Sequence, residues 1–151
     1  MNILDILSPE TVKAPLEATE KQAAIYELVE LLGDAGLIDD PDKLKAVVWE
    51  REEQRSTGIG EGLAIPHGKC ECAPKLAMAI GRAAQPIDFA SVDKKPVHLV
   101  VLLASPPDKT AEHIQALGKI SRLMANPEFR EAAYAAESGE ALYELFRKAE
   151  R

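Results

Sequence analysis

The sequence predicts an α/β fold in which a β-sheet is layered with helices. The first observation is a continuous apolar run at residues 97–104, which is typical of a strand covered on both faces. The second is that segments with apolar residues at helical spacing lie on both sides of this run along the chain. The third is the length of 151 residues, which predicts one domain spanning residues 1–151.

Two helices are predicted in the first third of the chain. The first carries apolar residues at helical spacing over residues 25–32, and Thr19 is predicted to cap its beginning. The second opens near Asp40 and Pro41, because an acidic cap followed by proline is typical of a helix start.

Strands and further helices follow. The apolar residues 76–83 predict a buried strand that precedes the strand at residues 97–104. Three helices are expected after it: one with an apolar stripe formed by Ile114, Leu117, Ile120 and Met124, one that begins after Asn126, and one that begins after Ser138.

Composition and charge exclude several kinds of partner. The net charge is −7 and there is no basic run, so we expect no binding to nucleic acid, which attracts Lys-rich and Arg-rich surfaces. No apolar run approaches the roughly 20 residues of a membrane helix, so we expect no membrane insertion. The N-terminal residues lack the basic segment and long apolar core of a signal peptide, which predicts a cytoplasmic protein.

The most informative segment is the glycine-rich stretch at residues 56–68, which ends in Pro66-His67-Gly68. Pro66 fixes its backbone φ and Gly68 permits close approach, so the ring of His67 is expected to be presented at a turn. Imidazole titrates at about 6.5, so a neutral His67 can act as a nucleophile. The glycines do not fit a dinucleotide fingerprint, which follows a strand and opens a helix, and no cofactor is predicted.

Three further residues extend the candidate site. Arg51 continues the apolar stripe of its helix, where an arginine either reaches out to solvent or meets an anion. His113 falls in the first turn of a helix and on the flank of its apolar stripe, and the free N–H groups of that turn favour a bound anion and a neutral imidazole. Glu61, a weaker candidate in the glycine-rich stretch, could accept a hydrogen bond from an imidazole or pair with Arg51. Each of these residues also has a purely structural interpretation. His67 could be a turn histidine, His113 a capping or core histidine, and Glu61 a solvated carboxylate of the loop.

The two cysteines suggest metal binding as a different interpretation of the same segment. His67, Cys70 and Cys72 place three zinc-type ligands within six residues, and His113 could supply a fourth. The cysteines are one residue apart, however, unlike the usual zinc knuckle, so we expect no metal and keep a zinc-binding protein as a remote alternative. A disulfide across this spacing would close a small strained ring, so reduced cysteines are expected.

The chain resembles, nearly from end to end, the IIA domain of the fructose, mannitol and nitrogen-related class (type 2) of the bacterial sugar phosphotransferase system. The strongest part of the resemblance is Pro66-His67-Gly68 with Arg51 sixteen residues upstream of the histidine. A second part lies at residues 86–99, and a third at residues 107–117 supplies the second histidine of the family, His113.

The resemblance implies a mixed β-sheet layered between helices as a three-layer α/β/α domain. It also implies that His67 accepts a phosphoryl group from the phosphocarrier protein HPr and passes it to a IIB partner or holds it as a regulatory signal. Arg51 and His113 would line that site and stabilise the phosphoryl group. No metal is required when the donor is itself a phosphohistidine.

The subtype and the docking surface are finer expectations. Lys69 and the segment at residues 88–97 look slightly more like the nitrogen-related members, which favours a regulatory role. The alternative is a dedicated IIA component of a fructose-type or mannitol-type uptake system. The hypothesised docking patch for protein partners consists of three apolar residues, Ile59, Leu63 and Ile65.

Overall fold

The computed structural model describes residues 1–150, and within that range the chain forms six strands, five α-helices and two short 3-10 helices. The 3-10 helices, Ile3–Asp5 and Pro9–Thr11, precede the first strand. The other elements, in order, are β1 (Val12–Leu16), α1 (Lys21–Asp34), α2 (Pro41–Gln54), β2 (Gly58–Gly60), β3 (Leu63–Ala64), β4 (His67–Lys69), β5 (Ala77–Ile87), β6 (Val97–Ser105), α3 (Thr110–Ala125), α4 (Pro127–Ala135) and α5 (Gly139–Ala149).

The strands form one mixed sheet. Its order is β1-β5-β6-β3-β2, with β4 also paired to β6. β5 and β6 are antiparallel, whereas β1 pairs parallel with β5, and β3 and β4 both pair parallel with β6. The predicted α/β class with a mixed sheet is therefore confirmed.

The side chains of β6 supply the centre of two separate cores. Leu99, Val101 and Leu103 pack with residues of α3, α4 and α5 on one face of the sheet. Val100, Leu102 and Ala104 pack with residues of α1 and α2 on the other face. Because side chains alternate along a strand, the continuous apolar run at residues 97–104 is what a strand between two helical layers requires.

The helix starts follow the capping signals in the sequence, with one exception. Helix α1 begins one residue later than a cap at Thr19 would place it, because the side chain of Glu20 accepts the hydrogen bond from the Ala23 N–H at 3.2 Å. The other caps are as predicted: Asp40 for α2, Asn126 for α4 and Ser138 for α5.

The expectation that the cysteines are reduced is wrong for this structure, since Cys70 and Cys72 form a disulfide. The turn after β4 brings their Cα atoms to 5.1 Å, which lies within the usual range for a disulfide despite the single intervening residue. Both side chains are buried against the core that includes α1 and α2. Over residues 1–150, no helix has the length and apolar character needed to cross a membrane.

Candidate functional site

The position of His67 follows from the pairing of β4. Along the carboxyl half of β6, His67 lies opposite Leu103 and Lys69 lies opposite Ser105. Leu103 faces the layer of α3, and the His67 ring lies on that side too, where it meets an imidazole of α3. Gly68 faces α2, and a Cβ atom there would lie 2.9 Å from Cγ1 of Val47. Glycine thus lets α2 pack directly against β4.

The hydrogen bond of His67 determines which ring nitrogen is free. Nδ1 of His67 lies 2.8 Å from the carbonyl oxygen of Ile65. A carbonyl oxygen can only accept, so Nδ1 carries the proton and Nε2 keeps its lone pair. Burial lowers the pKa of His67, and the positive charge of Arg51 acts in the same direction. His67 is therefore a neutral imidazole with Nε2 available as a nucleophile.

His113 lies beside His67 and is largely buried. The two ring centroids are 5.3 Å apart, and the ring planes are inclined at 67°. Nδ1 of His113 is 2.5 Å from Oγ of Ser105, the last residue of β6. Burial lowers the pKa of His113 to about 4, and a protonated His67 and the positive charge of Lys69 act in the same direction. This imidazole is also neutral near pH 7.

The buried face of α3 differs from the predicted stripe at its beginning. The buried residues are His113, Ala116, Ile120 and Met124, so His113 is part of the stripe and not on its flank. Ile114, which the periodicity places inward, is 62% exposed. The helix is rotated so that an imidazole, and not the isoleucine beside it, faces the end of β6.

Arg51 lies on the edge of the buried face of α2. The buried residues of this helix are Leu44, Val48 and Glu52, so Arg51 does not continue the buried stripe as the sequence predicts. Its Nη1 donates to the carbonyl oxygen of Arg55 at 3.0 Å, beyond the last turn of the helix. The guanidinium is half-buried and lines the clefts around His67.

Glu52 is a structural residue of the site that the sequence analysis missed. It is only 2% exposed, and it forms an ion pair with Lys21 at 2.9 Å. Its carboxylate also accepts hydrogen bonds from the backbone N–H and the hydroxyl of Thr57, at 2.8 and 2.5 Å. Glu52 thus ties the end of α2 to the start of the glycine-rich stretch. Its position four residues after Val48, on the buried stripe, was the available signal.

Glu61 does not reach the candidate site. It occupies the turn between β2 and β3 with a left-handed φ of 56°, and its N–H donates to Oδ2 of Asp93 at 2.9 Å. Its carboxylate lies 3.8 Å from Nη2 of Arg130, and its carbonyl oxygen accepts from the Tyr134 hydroxyl at 2.6 Å. The expectation that Glu61 contacts an imidazole or Arg51 is wrong, because this turn is held against α4.

The predicted docking patch is also wrong in two of its three residues. Leu63 and Ile65 are only 3% and 5% exposed and belong to the core beneath α3. Ile59 is 51% exposed, because β2 is the edge strand of the sheet. Val92, which the sequence analysis did not single out, is 71% exposed and lines the same cleft as Ile59.

Two adjoining clefts flank His67. One, of about 430 Å³, is lined by His113, Lys69 and Ile114. The other, of about 300 Å³, is lined by Ile59 and Val92 among others. Three residues line both clefts: Arg51, His67 and Leu117. The imidazole of His67 therefore lies at the junction of two clefts, and the guanidinium of Arg51 lines both of them.

The zinc alternative has little structural basis. It requires Cys70 and Cys72 as thiolates, whereas the structure joins their sulfur atoms. In the part of the chain that the structure describes, no group of three or more His, Cys, Asp or Glu side chains is arranged to hold a metal ion.

The chain is similar to known proteins over nearly its whole length. Residues 5–149 match the family described as "Phosphoenolpyruvate-dependent sugar phosphotransferase system, EIIA 2". The chain is similar to the fructose-specific EIIABC component of Bacillus subtilis, with 37% identity over 145 residues that cover 96% of this chain and 23% of the relative. It is 33% identical over 148 residues to the fructose-specific EIIA component of Haloferax volcanii, covering 96% of both proteins.

A nitrogen regulatory protein and a solved structure are also similar. The nitrogen regulatory protein of Bradyrhizobium diazoefficiens is 34% identical over 149 residues, which cover 96% of this chain and 94% of the relative. The fold superimposes on the crystal structure of the nitrogen regulatory protein IIA-Ntr from Neisseria meningitidis with a TM-score of 0.86 and 28% identity. That match covers 95% of this chain and 98% of the other.

We expect the titration of the two imidazoles to reflect their burial. His113 should titrate at about 4 and His67 below its ordinary pKa of 6.5. Because folded His113 binds a proton less readily than the unfolded chain does, the free energy of unfolding should fall as the pH decreases from about 6.5 to about 4. NMR titration of the imidazole resonances measures both pKa values, and a His113 that titrates at or above 6.5 would contradict this assignment.

Proposed function

The chain belongs to the EIIA 2 family of the phosphoenolpyruvate-dependent sugar phosphotransferase system, and on this basis we propose that Nε2 of His67 carries the phosphoryl group. The family consists of phosphotransferase domains that carry phosphoryl groups between proteins. One observation supports the assignment to His67 above the others. Its Nδ1 donates to the Ile65 carbonyl, so the lone pair that can attack phosphorus is on Nε2.

The transfer requires no proton movement at His67. The Nε2 lone pair forms a bond to phosphorus while the bond between phosphorus and the donor's imidazole nitrogen breaks, and that nitrogen keeps the electron pair. The phosphorylated ring still carries the proton on Nδ1 and so gains positive charge. The Ile65 carbonyl oxygen, 2.8 Å away, then accepts a charge-assisted hydrogen bond and stabilises the product.

Arg51 and His113 are proposed to stabilise the phosphoryl oxygens. Phosphoryl transfer depends mainly on positioning and on charge stabilisation of the equatorial oxygens. Arg51 offers a planar fork of N–H donors at the edge of the cleft. His113 is neutral, and its Nδ1 is occupied by Ser105, which leaves Nε2 as the atom available to the cleft.

The proposed partners are an HPr-type phosphocarrier as donor and a IIB domain or a regulatory target as recipient. The EIIABC designation of the Bacillus subtilis relative supports a IIB recipient, although this chain spans only 23% of that protein. The site also suits protein partners, because His67 lies where two surface clefts meet. A cytoplasmic location belongs to this proposal.

We favour a regulatory, nitrogen-related role for this carrier. The similarity to the Bradyrhizobium nitrogen regulatory protein over almost the full length of both chains supports it, as does the likeness to the Neisseria IIA-Ntr structure. The second candidate is the IIA component of a fructose-type uptake system, supported by the 37% and 33% identities to fructose-specific relatives.

The phosphoryl group should appear on the protein when it is incubated with phosphoenolpyruvate, enzyme I and HPr. Intact mass is expected to show one acid-labile phosphoryl group on the wild type and none on His67→Ala, because the attacking nitrogen is gone. Arg51→Lys keeps a charge but loses the planar fork, so the rate of phosphorylation should fall by about tenfold or more.

Arg147→Gln is the matched control for Arg51, because Arg147 pairs with Glu144 within α5. The rate at which HPr phosphorylates Arg147→Gln should equal the rate for the wild type. If wild-type protein gains no phosphoryl group while HPr is shown to be phosphorylated, the carrier proposal fails. If His67→Ala is still phosphorylated, the carrier residue is a different one.

Transfer onward from the phosphorylated protein distinguishes the two roles. A regulatory carrier should retain its phosphoryl group when it is mixed with a purified fructose-type IIB domain, apart from slow hydrolysis. An uptake component should lose the group to IIB within the same time. Rapid transfer measured by radiolabelled phosphate would contradict the regulatory role and leave the phosphocarrier assignment unchanged.

Ile59 is the docking residue that the structure leaves exposed, and Ile59→Glu should slow phosphorylation by HPr without unfolding the protein. A carboxylate at this position would be desolvated beneath a docked partner, which costs binding free energy. The initial rate at several HPr concentrations measures the effect. Ala84→Glu places the same charge on an exposed position of β5 as a control. Equal rates for the two variants would remove Ile59 from the docking surface.

A further inference from the structure

Ser105 is a fully buried polar residue that no step described so far requires. It ends β6, and by the alternation of that strand it faces the same layer as Leu103. Its register partner in β4 is Lys69, two residues after His67. The Ser105 hydroxyl contacts Nδ1 of His113 at 2.5 Å, so it links the end of the central strand to the second imidazole of the site.

The direction of this hydrogen bond can be derived from the number of available partners. Within residues 1–150, Nδ1 of His113 is the one hydrogen-bond partner of the Ser105 hydroxyl, and the exposure of Ser105 is 0%. If Nδ1–H donated to the hydroxyl oxygen, the hydroxyl hydrogen would be buried without an acceptor. If the hydroxyl donates to Nδ1, that hydrogen is satisfied. An unsatisfied buried donor is costly, so the second arrangement is the stable one.

We propose that Ser105 is a positioning residue that donates its hydroxyl hydrogen to Nδ1 of His113 and thereby places the His113 proton on Nε2, directed at the phosphoryl group carried by His67. The proposal rests on the function proposed for His67.

The two histidines would then have opposite tautomers, each fixed by the partner of its Nδ1. The Ile65 carbonyl can only accept, so His67 has its proton on Nδ1 and its lone pair on Nε2. The Ser105 hydroxyl donates, so His113 has its lone pair on Nδ1 and its proton on Nε2. One ring is a nucleophile and the other a hydrogen-bond donor, which is the pair that phosphoryl transfer needs.

The surroundings of His113 agree with a neutral donor. Lys69 lines the same cleft, and its Nζ donates to Oγ1 of Thr110 at 2.9 Å in the first turn of α3. The positive charge of Lys69 disfavours a protonated imidazole. A neutral His113 has a single N–H, so the choice of nitrogen decides whether it can bind a phosphoryl oxygen at all.

The tautomer can be measured without any phosphoryl transfer. ¹⁵N NMR of the unphosphorylated, histidine-labelled protein at pH 7.5 should show a protonated Nε2 and an unprotonated, hydrogen-bonded Nδ1 for His113. In Ser105→Ala the hydrogen-bonded Nδ1 signal should be lost and a population with protonated Nδ1 should appear. Ser105→Thr keeps the hydroxyl and should restore the wild-type pattern. Ser91→Ala, which removes another buried serine hydroxyl, should leave it unchanged.

The consequence for function is measured separately. Phosphorylation by HPr should be about tenfold slower for Ser105→Ala and close to the wild-type rate for Ser105→Thr, because only the donor at Nε2 is affected. A wild-type His113 with its proton on Nδ1 would overturn the proposal, and so would an unchanged ¹⁵N pattern in Ser105→Ala, whatever its rate. A changed pattern with an unchanged rate would overturn the assignment of the Nε2 proton to the phosphoryl group. Failure of the wild type to be phosphorylated would instead contradict the function of His67.

Discussion

The site depends on the parallel pairing of β4 with the carboxyl half of β6. β3 pairs with the first half of β6 and β4 with the second, so the chain between them runs along one edge of the central strand. This pairing puts His67 beside Leu103 and brings the end of β6, and with it Ser105, next to the start of α3. Gly68 is part of the same constraint, because a side chain there would push α2, which carries Arg51, away from the strand.

Burial gives both imidazoles the chemistry that the site needs. Desolvation disfavours the charged form, so both rings are neutral near pH 7, as the attack on phosphorus proposed for His67 requires. The groups that hold each Nδ1 then distinguish the rings. The Ile65 carbonyl lies between β3 and β4 and the Ser105 hydroxyl lies at the end of β6, so with the proposed tautomers the sheet sets the chemical difference between His67 and His113.

The sequence was most reliable where a single local rule applied. The apolar run of β6 predicted a strand between two layers, and proline with an acidic or amide cap predicted the starts of α2 and α4. It was less reliable where the rotation of a helix or the conformation of a turn decides which groups a side chain contacts. Glu61 and Arg51 both lie near the site in sequence, yet Glu61 is held by Asp93 and Tyr134 at the turn after β2. Helix periodicity put Arg51 on the buried stripe, whereas Glu52 occupies that position.

The layered α/β class, the histidine framed by Pro66 and Gly68, and the membership of the family can all be read from the order of the residues. These depend on local backbone restrictions and on residue patterns, which need no knowledge of distant contacts. Which side chains meet depends on how the elements pack in three dimensions. The contact of Ser105 with His113, the burial of Leu63 and Ile65, and the capture of Glu61 by α4 all depend on strand register and helix rotation. Packing between elements sets these quantities, and no local pattern encodes them.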